Sequence, residues 1–170
     1  FAVTPYFMSP YETVRFPSRE AGFEVAGWWI PSQAADPDAP AVIVLDGLSG
    51  CKNALSVLVP AGTLWRNGFN VLVIDVRDTG EATQDDLRSA IGNDEYWDVL
   101  GAWDWLIDEK GFAPSNVGVF ANSLGGAMAN YAFAEEPRMA ALFLHATFGD
   151  LQTIIKAELA RNGYPTFQIG

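Results

Sequence analysis

The sequence predicts an α/β fold: a doubly wound, mostly parallel sheet with helices on both faces. Short apolar runs at residues 41–45, 71–74, 117–120 and 140–144 recur along the chain. Runs of that length without polar alternation suit strands buried on both faces. Segments with helical spacing separate them, and alternating strands and helices build parallel sheets through right-handed crossovers.

The elements follow in order. Residues 11–16 alternate weakly and read as a first strand. A second runs over about residues 23–30 and ends at Pro31; residues 33–40, rich in Pro and Asp, form a loop. After the 41–45 strand, Ala54, Val57, Leu58, Ala61 and Leu64 keep helical spacing, and Gly68 stands where that helix should stop. Pro60 inside it removes one helical hydrogen bond. The clearest helix covers residues 94–110, with Tyr96, Val99, Leu100, Trp103, Leu106 and Ile107 on one stripe. Asn93 suits its N-cap, Asp94 and Glu95 suit its positive start, and Gly111 suits the C′ position. A third helix is expected from Ser123 to about Glu135, before Pro137, and a fourth over residues 151–160, with Asp150 placed to cap it.

Composition narrows the functions. The 170 residues fit one domain, and a hydrophobic share of 49% supports a real core. The net charge of −11, from 10 Lys+Arg against 21 Asp+Glu, argues against nucleic acid as a partner. No apolar run is long enough to span a membrane, and no signal-peptide pattern is visible. Cys51 is the only cysteine, so no intrachain disulfide forms, and one Cys with one His makes a poor zinc site. No Gly-x-Gly-x-x-Gly follows a strand, so no dinucleotide cofactor is expected. Trp28, Trp29, Trp97, Trp103 and Trp105 fall on strand and helix patterns and read as packing.

In an open α/β sheet the chemistry lies beyond the carboxyl ends of the strands. After the 117–120 strand comes Ala121-Asn122-Ser123-Leu124-Gly125-Gly126, a small-x-Ser-x-Gly pattern on a strand-to-helix turn. Such a turn strains the serine, lifts its hydroxyl above the sheet and seats it at a helix N-terminus, where N–H groups favour developing negative charge. Ala121 takes the place of the more usual Gly. After the 41–45 strand comes Asp46-Gly47-Leu48-Ser49-Gly50, a Gly-rich turn that can aim the Leu48 N–H toward the same serine. The Leu48 and Leu124 N–H groups then make the candidate oxyanion hole, with Asp46, Gly47, Asn122 and His145 lining the site.

These motifs resemble the α/β-hydrolase superfamily, in particular its bacterial serine hydrolases of the prolyl-peptidase-like and cinnamoyl-esterase-like type. The resemblance covers nearly the whole chain: the opening strand pair from Phe16 to Pro31, Asp46-Gly47 where relatives carry His-Gly, Asp75-Val76-Arg77-Asp78-Thr79-Gly80 for an Asp-x-Arg-Gly-x-Gly turn, Gly92, Glu95 and Asp98 for a Gly-x-x-Glu-x-x-Asp stretch, and Ser123 as the nucleophile. It implies that the 71–74 strand lies between the second strand and the 41–45 strand, with the 41–45 and 117–120 strands adjacent. Three positions depart from the pattern. Asp46 replaces a His, and a carboxylate within about 6 Å of a developing oxyanion opposes it. Asp78 replaces a Gly, and Thr79 a His.

The resemblance also implies an order of Ser, then acid, then His, the last two following a seventh and an eighth strand. The 140–144 strand is the sixth, so residues 1–170 read as one incomplete domain that lacks its last two strands, with a cap region beginning near residue 150. His145, the only histidine, follows that sixth strand and is expected to be structural or merely nearby. The implied activity is hydrolysis of an ester, thioester or small amide bond of a small acyl substrate by Ser123, without a cofactor, the acid and His lying outside these residues. The alternative is a non-catalytic subunit of the same fold. The sixth-strand edge needs a cover, from the protein's own further residues or from a partner. The chain opens with Phe rather than Met, so residues upstream are expected, and by analogy with relatives these can include a membrane anchor.

Overall fold

The computed structural model describes residues 10–33, 36 and 38–165. Part of the expected 33–40 loop therefore lies outside the described residues. The elements are β1 (Glu12–Pro17), β2 (Glu24–Ile30), β3 (Ala41–Leu45), α1 (Leu55–Arg66), β4 (Asn70–Asp75), α2 (Tyr96–Asp108), a short 3-10 turn at Pro114–Asn116, β5 (Val117–Asn122), α3 (Gly125–Glu135), β6 (Leu142–His145) and α4 (Leu151–Arg161). They form one 6-stranded sheet in the order β1-β2-β4-β3-β5-β6. β4, β3, β5 and β6 run parallel; β1 and β2 pair antiparallel with each other, and β2 with β4. The expected placement of β4 between β2 and β3, and of β3 beside β5, is the one observed.

Alternation along the central strands sends side chains to two cores. Ile43, Leu45, Leu72 and Ile74 meet Leu100, Leu106 and Met128 of α2 and α3 on one face. Val44, Val71 and Val73 meet Val57, Leu58, Ala61 and Trp65 of α1 on the other. α1 runs through Pro60 unbroken. The carbonyl deprived of its donor belongs to Ser56, in the exposed first turn, where water serves as well.

Two helix starts differ from expectation. α2 begins at Tyr96, not residue 94. Asn93 does not cap it; its side chain donates to Asp94 Oδ1 instead. Glu95 turns back and accepts from Ser89 Oγ and the N–H groups of Ala90 and Gly92, so its charge organises the preceding loop rather than the helix end. α3 begins at Gly125, because Ser123 holds a left-handed conformation. Elsewhere the punctuation works as expected: Gly111 has φ +77° just beyond α2, and the Asp150 carboxylate accepts from Thr153 N–H at 3.1 Å to cap α4.

Candidate active site

Ser123 is exposed, between the end of β5 and the start of α3, with φ +53°. A non-glycine residue stays in that region only when its surroundings enforce it. Here the Ser123 N–H donates to the His145 carbonyl at 2.9 Å, and the Gly126 N–H to the Ser123 carbonyl at 3.0 Å. Two glycines permit the close approach of the neighbouring turn. A Cβ on Gly47 would lie 2.7 Å from Leu124 N and 2.8 Å from Ser123 Cβ, and one on Gly125 would lie 2.4 Å from the Asp46 carbonyl oxygen. Either methyl would force the turn after β3 away from the Ser123 turn. Ala121 is fully buried.

That approach brings the Gly47–Leu48 peptide against the Ser123–Leu124 peptide. Among the described residues neither the Leu48 nor the Leu124 N–H has a hydrogen-bond partner. Gly47 and Leu48 also border a cavity of about 70 Å³ walled by Thr79, Leu87, Arg88 and Met128.

Asp46 is half-buried, and three donors occupy its carboxylate. Oδ1 accepts from the Gly47 N–H and from Asn122 Nδ2, each at 2.8 Å; Oδ2 accepts from Ser56 Oγ at 2.6 Å. The carboxylate expected to oppose an oxyanion is thus tied to the first turn of α1 and to the residue before the serine. Ser56 had no signal in the sequence, since ten residues of loop and helix separate it from Asp46. Asn122 passes the connection on: its Oδ1 lies 2.8 Å from His145 Nδ1. His145 is the last residue of β6 rather than the one after it. It is exposed, and its ring lies over Phe120 at a centroid distance of 6.3 Å. The Ser123 hydroxyl itself has no hydrogen-bond partner among the described residues, so His145 is not engaged as its base.

Behind these turns lie two buried ion pairs. The Lys52 N–H donates to Asp75 Oδ1 at 2.6 Å, and its ammonium contacts Asp75 Oδ2 and, at 2.8 Å, Glu81. Burial pushes the Lys52 ammonium down, but these hydrogen bonds more than reverse it and leave its pKa above the ordinary lysine value. Asp75 thereby pins the turn after β3 to the end of β4. Arg77 is held by Asp98 at 2.8 Å and by Glu20. Burial opposes its charge, and the two carboxylates raise its pKa all the same. Asp78 has φ +60°, a region that glycine enters without steric cost; its Oδ1 accepts from the N–H groups of Asp85 and Leu87. Glu95 thus holds the loop before α2, and Asp98 holds the Arg77 guanidinium. Among the described residues no cluster of His, Cys, Asp and Glu is arranged to hold a metal, and no helix is long and apolar enough to cross a membrane.

The sheet and its strand order are those of the α/β-hydrolase superfamily. The chain belongs to the prolyl oligopeptidase family, whose sequence model matches residues 60–168. An uncharacterized protein of Mycobacterium tuberculosis is 28% identical over 148 residues, which are 85% of this chain and 47% of the relative. The chain thus spans about half the length of the curated relatives it matches. Among solved structures, an esterase from Pyrococcus furiosus is similar with a TM-score of 0.78 at 21% identity, over 97% of this chain and 59% of the esterase. Est1E from Butyrivibrio proteoclasticus, solved with ferulic acid bound, is similar with a TM-score of 0.70 at 16% identity, over 88% of this chain and 56% of that protein. The α/β hydrolase GrgF from Penicillium has a TM-score of 0.73 at 20% identity, over 91% of this chain and 53% of GrgF.

Proposed function

We propose that this chain carries the nucleophile half of a serine hydrolase acting on ester, thioester or small amide bonds of a small acyl substrate. The observation that carries the reading is the exposed Ser123 at φ +53°, next to two unpartnered N–H groups. Ser123 Oγ attacks the acyl carbon and the leaving group departs. The Leu48 and Leu124 N–H groups hold the oxyanion, and water then releases the acid. An unassisted serine hydroxyl is a poor nucleophile, and no base touches Ser123 among the described residues. In this reading the base, its acid partner and the cover of β6 come from residues outside the 170, the cap region beginning near residue 150. The esterases among the similar structures, of which this chain covers little more than half, support it. Two observations favour the alternative of a non-catalytic subunit: the Ser123 hydroxyl has no partner, and a carboxylate, Asp46, adjoins the candidate oxyanion hole.

The test is turnover of short-chain 4-nitrophenyl esters by the full-length gene product, alongside fluorophosphonate labelling. The full-length protein should hydrolyse such esters and lose both turnover and label on Ser123→Ala; residues 1–170 alone should show little of either. Removal of the nucleophile in serine hydrolases costs on the order of a million-fold in kcat. No turnover by the full-length protein would favour the non-catalytic subunit. Robust turnover by residues 1–170, abolished by His145→Ala, would make His145 the base.

A further inference from the structure

The hydrogen bonds around Asn122 fix more than distances. An ionised Asp46 can only accept, so the Asn122 side-chain group facing it must be the NH₂. The amide oxygen of Asn122 then faces His145 Nδ1 at 2.8 Å. An amide oxygen only accepts, so Nδ1 must carry the proton. A neutral imidazole in water prefers the other tautomer, with the proton on Nε2. The register explains how the three residues meet. Asn122 and His145 are paired across β5 and β6, so their side chains share a face. Asp46 follows β3, whose last residue Leu45 pairs with Ala121. The Ser123 N–H, in turn, donates to the backbone carbonyl of His145. The strained serine is therefore flanked by a side-chain bridge and a backbone bridge that join the same two strand ends.

We propose that Asp46, Asn122 and His145 form a tautomer relay that positions the nucleophile. Asp46 orients the Asn122 amide, and Asn122 locks His145 as the Nδ1–H tautomer with Nε2 left as an acceptor. The three side chains together hold the ends of β3, β5 and β6 around Ser123. None of them attacks substrate; they are positioning residues. Asp46 acts here through geometry rather than charge. An Asn at position 46 can keep its oxygen toward the Gly47 N–H and Asn122 and donate its NH₂ to Ser56 Oγ, so Asp46→Asn preserves the relay while Asp46→Ala breaks it. The positioning role rests on the hydrolase reading; the tautomer does not.

The test is ¹⁵N NMR of the full-length gene product at about pH 9, where imidazole is neutral, with the His145 signals identified by their loss in His145→Gln. The expected result is a pyrrole-like Nδ1 and a pyridine-like Nε2, retained in Asp46→Asn and reversed in Asp46→Ala and Asn122→Ala. With a 4-nitrophenyl ester, the two alanine variants should lose about 10- to 100-fold in kcat with KM within about two-fold, as for a misplaced reacting group, a loss that Asp46→Asn, which keeps the relay, should not share. An Nε2–H tautomer in the wild type, or one unchanged in Asn122→Ala, overturns the relay, and the wild-type measurement needs no variant to fold. An active enzyme whose kcat ignores the tautomer overturns the positioning role. The expected tautomers in a protein that hydrolyses nothing uphold the relay and sink the hydrolase reading.

Discussion

The two faces of the sheet are built to different standards. On one, α2 and α3 lie side by side, and their buried side chains merge with those of β1 to β5 into a single core that includes Phe16, Ile43, Leu72, Leu100 and Leu106. On the other, α1 is the one helix packed over Val44, Val71 and Val73 among the described residues. Beside it a groove of about 680 Å³ stays open, lined by Val42, Val59, Leu64, Phe120, Leu142 and Phe143. Phe143 is 61% exposed and stacked on Phe120 at 5.1 Å. α4, which follows β6, buries none of its residues. Large contiguous apolar surface is unusual on a finished monomer. The contrast teaches that a strand pattern and its cover are separate facts: β5 and β6 carry apolar residues on both faces, but on the α1 side Phe120 is only partly buried and Phe143 is exposed.

The largest effect should come from cutting the anchor of the covered face. Asp98, on α2, is buried and holds Arg77, itself buried at the end of β4. Asp98→Ala leaves that guanidinium short of a partner and should cost about 3–5 kcal/mol. On the open face the first turn of α1 is tied by Ser56 Oγ to Asp46. Ser56→Ala should cost only about 0.5–1.5 kcal/mol. Urea midpoints of the two variants check this, and equal losses would mean that the faces are equally secured.

Hydrophobic truncation sharpens the same contrast. Leu100 is fully buried in the covered core, and Leu100→Ala should cost about 2–5 kcal/mol. Phe143→Ala removes a side chain of similar size from the open groove and should cost less than about 1 kcal/mol. If Phe143→Ala proves as damaging as Leu100→Ala in denaturant titrations, the groove is filled in solution.

Much of this was legible from local pattern. Uninterrupted apolar runs marked β3 to β6, and the small-x-Ser-x-Gly turn singled out Ser123, because both signals lie within a few adjacent residues. What was missed depends on where a polar side chain turns. Glu95 and Asn93 have the right types for a helix start, yet Glu95 folds back onto the Ser89–Gly92 loop, so α2 starts later. Asp46 was marked as a departure from the family pattern, but its partners Ser56 and Asn122 come from a helix and a strand that only the register brings together. The roles of Lys52 and Asp75 were hidden for the same reason: nothing local links residues 23 positions apart.

A further effect on the covered face, smaller than those of Asp98 and Leu100, is a matter of pH. Glu136, just after α3, is buried between two arginines. Its oxygens each accept from Arg138 at 2.7 Å, and Arg19 lies at 3.4 Å. Hydrogen bonds from Arg138, and secondarily from Arg19, outweigh burial and hold its carboxyl at about 2, down from 4.5. A carboxylate whose folded pKa is depressed stabilises the fold above its unfolded pKa, and that contribution disappears as pH falls through the folded one. Glu136→Gln should therefore destabilise the protein at neutral pH by on the order of 1–2 kcal/mol, with solvent screening taken into account. The gap to wild type should narrow below about pH 4.5 and close near pH 2. The guanidinium carbons of Arg19 and Arg138 lie 5.9 Å and 5.0 Å from the Trp103 ring centroid, so tryptophan fluorescence in urea follows the same corner. A gap between Glu136→Gln and wild type that stayed constant from pH 7 to pH 2 would show that Glu136 contributes by packing, and that the covered face owes this corner to shape instead of charge.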